Sequence, residues 1–171
     1  MKSNELLLDS FGRIRETVAA ALAGVDEDAL LRRPGGNGNS MAWLIWHLSR
    51  VEDAQVASAA GLDQVWTSEG FAARFGLPLP KRDTGYGHTS AQVDAVQAPP
   101  ELLLEYYDAV HRQTANFLAN LGDDDFDRIV DTRWDPPVTL GVRLVSTIAD
   151  CLQHVGQAAY AKGLNSVHGH G

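Results

Sequence analysis

The feature that most restricts the fold is a polar pair on an otherwise apolar segment near the C-terminus. Asp150 and His154 are four residues apart, so on a helix they lie one turn apart on the same face. The apolar residues of this segment are Leu144, Ile148, Cys151 and Val155. A carboxylate on such a helix is costly to bury without a partner. The fold must therefore supply a partner, unless Asp150 faces water or pairs with Arg143.

One partner that suits both side chains is a divalent metal ion, for which Asp150 and His154 provide two ligands. A protein metal site needs at least three. The third ligand is predicted to be His47, which lies within the strongly apolar residues 43–48. A lone histidine on an apolar face is more often an ordinary core residue than a ligand. The pattern alone therefore leaves two alternatives open, a three-ligand metal site, or a core His47 with Asp150 paired to Arg143 or facing water.

Four long segments with helical periodicity organise the chain. Apolar residues recur in them at intervals of three and four, and glycines and prolines separate them. The predicted long helices cover residues 4–24, 40–60, 99–122 and 139–162, the last of them ending at Gly163. Short helices are predicted around residues 26–28, 67–75 and 90–97.

A weak internal repeat indicates how these helices are connected. Residues 22–32 match residues 118–128 at an offset of 96 positions (118 minus 22), and each match covers a helix end, an acidic turn and a loop. Acidic turns after helices are also common without a repeat. Two such helical hairpins predict an all-α fold, a four-helix bundle with residues 61–99 as a long crossover between helices two and three.

Length and composition indicate a single domain. The chain has 171 residues, enough for one core, and we predict a domain over residues 1–164 and a flexible tail over residues 165–171. A net charge of −8 disfavours a nucleic-acid surface. The sequence has neither an apolar run of eighteen residues nor a signal peptide, and its single cysteine suits a reducing compartment. We therefore expect a cytoplasmic protein that binds neither nucleic acid nor membranes.

Three further residues are candidates for the site. Arg50 follows His47 by three residues and is predicted to bind an acidic group of a substrate, or else to pair with Asp53 or Asp150. Cys151 could approach the site, but a buried free cysteine usually acts as a small hydrophobic residue. His88 could reach the mouth of a pocket, although an exposed loop histidine is the simpler interpretation. None of the serines has the context of a hydrolase nucleophile.

Three segments of the chain resemble the DinB-like superfamily. They are Trp-His-Leu-Ser-Arg-Val-Glu-Asp at residues 46–53, Gly-Tyr-Gly-His at residues 85–88, and the last helix with Asp150 and the residues His-Val-Gly-Gln at 154–157. The resemblance covers residues 5–164. Within the superfamily the chain is similar to the branch that includes mycothiol-dependent maleylpyruvate isomerase and the mycothiol and bacillithiol S-transferases.

This resemblance implies a four-helix bundle that binds a divalent metal, often zinc or nickel, through one histidine of helix two and two residues of helix four. The matching positions are His47, Asp150 and His154. The helix-four ligands of the family are commonly two histidines, or a glutamate and a histidine. Asp150 departs from that pattern because its side chain is shorter than glutamate by one methylene group.

The resemblance also implies a low-molecular-weight thiol cosubstrate, mycothiol or a similar compound. Three protein ligands leave one position open, as in catalytic zinc sites, where a bound thiol is deprotonated and becomes a nucleophile. We therefore expect an S-transferase that joins this thiol to an electrophile. The alternatives are hydrolysis by metal-bound hydroxide, thiol-dependent cis-trans isomerisation, and a non-enzymatic metal-binding or stress-related bundle that could be a homodimer.

Overall fold

The computed structural model describes residues 1–167 of the chain, which form the predicted all-α bundle. In chain order, the helices are α1 (Ser3–Leu22), α2 (Glu27–Leu31), α3 (Met41–Ala60), α4 (Val65–Ser68), α5 (Phe71–Phe75), α6 (Ser90–Asp94), α7 (Pro100–Ala119) and α8 (Leu140–Val167). Two 3-10 turns cover Pro34–Gly36 and Asp123–Asp127, and two short strands are β1 (Ile129–Asp131) and β2 (Val138–Thr139). Helices α1, α3, α7 and α8 form the bundle.

The ends of the long helices follow local sequence signals. The Ser40 hydroxyl accepts a hydrogen bond from the backbone N–H of Trp43 and caps α3, which is the usual role of serine at this position. Gly61 ends α3 with a left-handed φ of 67°, where glycine is favoured. Pro100 begins α7, at a position where its missing N–H is not needed.

The predicted end of the last helix at Gly163 is wrong, since α8 continues to Val167. A single glycine disfavours a helix by only about 1 kcal/mol. The Lys162 ammonium group next to it donates hydrogen bonds to the carbonyls of Ala20 and Ala23, both at 2.7 Å, and so ties α8 to the end of α1. Of the flexible tail predicted for residues 165–171, positions 168–171 lie outside the described residues.

The order of the bundle differs from two side-by-side hairpins. Both α1 and α3 pack against α7 and α8, so α1 and α3 occupy opposite corners, and so do α7 and α8. The two halves of the internal repeat therefore interlock instead of each forming its own hairpin. Each connecting segment, residues 23–40 and 120–139, is long enough to cross the end of the bundle diagonally, which periodicity within the helices does not reveal.

The long crossover, residues 61–99, packs onto the bundle as predicted. It contributes apolar side chains to the core, among them Val65, Trp66, Phe71, Phe75, Val93 and Val96. It leaves α3 buried on nearly every side, including polar residues in the middle of that helix. Helix α3 is therefore the element around which any buried polar chemistry is arranged.

A small antiparallel hairpin of β1 and β2 precedes α8, in a part of the chain where the sequence predicted no strand. Strands of three and two residues are too short to show the alternation that identifies a strand. The hairpin forms part of a cavity wall described below. Within residues 1–167, no helix has both the length and the apolar character that crossing a membrane requires.

Candidate metal centre

The three residues singled out from the sequence lie together where α3 faces α8. Nε2 of His47 is 4.0 Å from Oδ2 of Asp150, and the ring centroids of His47 and His154 are 4.4 Å apart. Each of the three residues offers a ligand atom within 4.8 Å of the other two. The juxtaposition is thus present in the structure, while the role of these residues as metal ligands stays a prediction.

The tautomer of His47 is fixed by its hydrogen bond to the crossover. Its Nδ1 donates to the backbone carbonyl of Thr84, which leaves the lone pair of Nε2 directed at the site. Trp43 stacks on the imidazole with ring centroids 4.6 Å apart and an interplanar angle of 11°. Burial lowers the pKa of His47, so the ring is neutral at neutral pH, the form that binds metal ions.

His154 is oriented in a similar way on α8. Its Nδ1 donates to the backbone carbonyl of Asp150 at 2.8 Å. Oδ2 of Asp150 lies 3.2 Å from the same nitrogen, but the N–H is directed at the carbonyl. This close contact raises the pKa of His154. Burial opposes ionisation of Asp150, yet the contact with His154 and the charges of both imidazoles outweigh it and lower the pKa of Asp150.

One atom of this group lacks a hydrogen-bond partner. Oδ2 of Asp150 is buried and accepts no hydrogen bond from any described residue. Such an oxygen is unfavourable unless another group satisfies it. Two imidazoles and one carboxylate form a donor set of catalytic zinc sites, and imidazole also suits nickel. The residues present therefore fit a divalent metal ion, despite the shorter side chain of Asp150.

A hydrogen-bond network in the crossover holds the Thr84 carbonyl in place. Oδ1 of Asp83 accepts from the backbone N–H of Gly85, and its Oδ2 accepts from Nε2 of His88, both at 2.9 Å. Nδ1 of His88 accepts from the indole N–H of Trp43 at 3.0 Å. The expectation that His88 is an exposed loop residue is wrong, because its side chain is only 3% exposed. It belongs to the support of the site.

Gly85 permits the close approach of the crossover to α3. Its φ is 95°, and a Cβ at this position would lie 2.7 Å from Nδ1 of His47 and 3.1 Å from the ring of Trp43. Only glycine combines this backbone conformation with the required space. The glycine at position 85 is therefore required sterically, because the crossover lies directly against the candidate ligand His47.

Arg50 is placed differently from its sequence-based expectation as a substrate-binding residue. Its side chain is fully buried, with hydrogen bonds to the Asp53 carboxylate and the Tyr106 hydroxyl. It also donates to the backbone carbonyls of Lys81 and Asp83. These hydrogen bonds use the donors of Arg50 within the protein and hold the crossover against α3. Arg50 does not line the cavity beside the site, which is described below. Of the pairings considered from the sequence, the structure contains the one with Asp53.

Cys151 points away from the candidate metal centre. It is fully buried in the core, and its thiol contacts the carbonyl of Leu48 at 3.7 Å. Burial raises the pKa of this thiol, so it stays protonated. The structure thus supports the interpretation of Cys151 as a small hydrophobic residue.

A cavity of about 450 Å³ opens beside the site, with His47 and Asp150 in its lining. Its apolar lining residues are Val51, Tyr86, Trp134, Val138 and Val142. The charged residues Asp131, Arg133 and Arg143 complete the wall on the side of the hairpin and α8. Sequence reasoning missed this wall, because the two strands that flank the proline-containing loop are too short to show a strand pattern.

Comparisons with known proteins identify the family and a similar structure. A family model described as mycothiol S-transferase matches residues 6–164, a range that includes all three candidate ligands. No curated protein matches the chain. A crystal structure described as that of the conserved protein of a locus from Enterococcus faecalis is 31% identical, with a TM-score of 0.88, and the match covers 95% of this chain and 96% of that one.

Proposed function

The chain belongs to the mycothiol S-transferase family, and from that membership we propose that it is a divalent-metal-dependent thiol S-transferase. In this proposal His47, Asp150 and His154 hold the metal ion, zinc or nickel. A low-molecular-weight thiol, mycothiol or a similar compound, is the cosubstrate and an electrophilic small molecule is the acceptor. The family match also confirms the resemblance to the DinB-like superfamily.

The observation that carries the proposal is the unsatisfied carboxylate oxygen of Asp150. It is buried beside two imidazoles, and the same carboxylate and His47 line the cavity. A buried oxygen that accepts no hydrogen bond, lies beside two imidazoles and belongs to a residue lining a cavity supports a ligand site over a purely structural contact. The donor set and the open space beside it suit a catalytic centre better than a closed structural one.

The residues of the chain have defined parts in this chemistry. A bound divalent metal ion would lower the pKa of a coordinated thiol, so that the nucleophilic thiolate forms at neutral pH. His47 and His154 each keep the Nδ1 proton in a hydrogen bond to a backbone carbonyl, which leaves Nε2 available. Asp150 adds one negative charge. The apolar side chains of Val51, Val138 and Val142 form part of the cavity lining beside these residues.

The proposed setting is a reducing cytoplasm. The single cysteine is free and buried, and the chemistry requires a reduced thiol cosubstrate. The homodimer expected among the alternatives stays a prediction, which a sedimentation measurement checks.

Metal analysis of untagged protein tests the site. We expect about one divalent ion per chain in the wild type and none in His154→Ala, with the helical circular dichroism spectrum unchanged. His111→Ala is the matched control, because His111 is a partly buried histidine of α7 that does not line the cavity. Zinc at 100 times its Kd should stabilise the wild type by about 2.7 kcal/mol and leave His154→Ala unchanged. Equal metal content in wild type and His154→Ala would refute the assignment.

Thiol consumption tests the reaction. Metal-loaded wild type should accelerate the conjugation of mycothiol to a generic alkyl halide, and His154→Ala should not. A protein that binds the metal yet consumes no thiol would instead support the non-enzymatic bundle. Isomerisation of an unsaturated acid without net loss of thiol would support the isomerase alternative.

A further inference from the structure

The cavity wall on the side of the hairpin contains a cluster of three charged side chains, Asp131, Arg133 and Arg143. Oδ2 of Asp131 accepts hydrogen bonds from Nη2 of both arginines at 2.8 Å. Its Oδ1 accepts from Nε of Arg133 at 2.9 Å. Two guanidinium groups thus share one carboxylate, and neither arginine has a salt bridge to another acidic group among the described side chains. The cluster therefore carries one excess positive charge.

This positive charge contrasts with the rest of the chain, whose net charge is −8. The other carboxylate in the cavity lining is Asp150, which belongs to the candidate ligand set. No acidic group of the lining is therefore left to neutralise the second arginine. A positive group in a concave, partly apolar site attracts anionic ligands.

The two arginines differ in side-chain exposure and in the N–H donors that are available to a ligand. Arg143 is 17% exposed in its side chain, and its Nη1 donates to Gln55 of α3. Arg133 is 82% exposed, and within the described residues its Nη1 has no hydrogen-bond acceptor. Asp131 nevertheless holds the guanidinium of Arg133 through two nitrogens. Arg133 is thus both accessible and pre-oriented, which reduces the entropy lost on binding.

We propose that Arg133, held by Asp131 and backed by Arg143, binds the carboxylate of a substrate in the S-transfer reaction. This inference rests on the proposed function and narrows its substrate class to an acid. A guanidinium group matches a carboxylate in geometry and charge. Trp134 and Tyr86, both exposed and both in the cavity lining, would pack against an apolar or aromatic body of that acid. The carboxylate belongs to the electrophile, or to the thiol if the cosubstrate is an acidic thiol instead of mycothiol.

A binding measurement tests the subsite without any catalysis. In the His154→Ala background, where a metal ion no longer competes for the carboxylate, 4-methylbenzoate and 4-methylbenzamide are titrated by NMR. Adding Arg133→Gln should raise the Kd of the acid about fivefold and that of the amide less than about twofold, as expected for loss of one exposed charge-assisted hydrogen bond. Arg133→Lys should retain part of the preference for the acid.

The matched control is Arg112→Gln, which removes another exposed arginine. Arg112 lies on α7, pairs with Glu69 at 3.3 Å and does not line this cavity. Its substitution should leave the Kd of both probes unchanged.

Kinetics with the metal-loaded enzyme identify the source of the carboxylate. In the first experiment, 2-mercaptoethanol displaces chloride from 4-(chloromethyl)benzoate or from 4-(chloromethyl)benzamide. A carbon–sulfur bond forms, the carbon–chlorine bond breaks, and the thiol proton passes to the buffer. If the electrophile carries the carboxylate, Arg133→Gln raises KM for the acid about fivefold, with kcat little changed.

In the second experiment, N-acetylcysteine and its amide are compared as thiols with the neutral electrophile. A selective loss for the acidic thiol assigns the carboxylate to the thiol. If Arg133→Gln affects acid and amide equally in the titration and in both kinetic experiments, the proposal is overturned. Selective binding of the acid without turnover of any pair would support the subsite and refute the S-transferase function.

Discussion

Helix α3 contributes to two clusters of buried polar residues, which differ in whether their carboxylate oxygens accept hydrogen bonds. Towards its N-terminus, His47 faces Asp150 and His154, and Oδ2 of Asp150 accepts no hydrogen bond from the described residues. About one turn further along lie Glu52 and Asp53, both almost completely buried. We call these two residues the carboxylate pair.

Every oxygen of the carboxylate pair is satisfied by the protein. Asp53 accepts hydrogen bonds at 2.8 Å from the backbone N–H groups of Val65 and Trp66 and from the hydroxyl of Tyr106. The corresponding donors to Glu52, also at 2.8 Å, are the hydroxyls of Tyr107 and Thr114. Burial by itself therefore does not identify a functional carboxylate. In our proposal the oxygen of Asp150 that accepts no hydrogen bond marks the ligand-binding carboxylate, because a carboxylate whose hydrogen bonds are all made within the fold has little capacity left for a ligand.

The largest expected effect of this difference is on stability. Asp53→Ala leaves the Arg50 guanidinium, which is 0% exposed, without its charged partner and two backbone N–H groups without an acceptor. We expect a loss of about 3–5 kcal/mol in the free energy of unfolding. Urea denaturation of metal-free protein, followed by circular dichroism, measures it.

Asp150→Ala is the matched variant, because it removes the carboxylate that the fold does not satisfy. In metal-free protein its unfolding free energy should stay within about 1 kcal/mol of the wild type. Equal losses for the two alanine variants would contradict the distinction between a structural and a ligand-binding carboxylate.

The next effect is a pH dependence of stability that arises from Glu52. Burial raises the pKa of Glu52 from 4.5 to about 7, so the folded protein holds a proton that the unfolded chain releases. The resulting stabilisation is fully present below pH 4.5, decreases as the pH rises, and is lost above about pH 7. Its size is about 3 kcal/mol by linkage.

Glu52→Gln tests this pH dependence because an amide keeps the shape and hydrogen-bonding capacity of the carboxyl group without titrating. Relative to this variant, the wild type should lose stability between pH 4.5 and 7. Denaturation midpoints at five pH values would show it. Parallel pH profiles of the two proteins would mean that Glu52 is already ionised in the fold.

The proximity of His47, Asp150 and His154 could be predicted because part of its signal is local, while their role as ligands stays a prediction. The spacing of Asp150 and His154 depends only on helix geometry, and His47 stands out on an apolar helix. The family match over residues 6–164 confirms the resemblance. For the carboxylate pair the sequence indicated only the pairing of Asp53 with Arg50, since its partners Tyr106 and Tyr107 come from α7 and are brought to α3 only by the fold.

Other features depended on the path of loops, which periodicity does not encode. Arg50 is on the same side of α3 as His47, yet the crossover covers it and takes up its donors. The interlocked order of the four helices depends on two connections that cross the bundle diagonally. The positions of the long helices could thus be read from the sequence, whereas the end of α8, the helix neighbours and the loop contacts could not.

The smallest expected effect concerns the support of the metal centre by the crossover. In Gly85→Ala, the new Cβ would lie 2.7 Å from Nδ1 of His47 and 3.1 Å from the ring of Trp43. The loop must shift, and the hydrogen bond from His47 to Thr84 is lost or lengthened. Loss of such a bond to a metal-binding histidine typically weakens metal affinity by about 10–100-fold. Competition with a chromophoric zinc chelator measures this affinity.

Gly87→Ala separates steric contact from backbone strain. Gly87 also has a positive φ, 71°, but a Cβ there would have no neighbour within 4 Å. Its substitution strains the same loop without touching the imidazole, so zinc affinity should fall less than about threefold. If both alanine variants weaken zinc binding equally, the loop acts through its overall order. A loss confined to Gly85→Ala means that the crossover supports the metal centre through its close packing against His47 and Trp43 at this position.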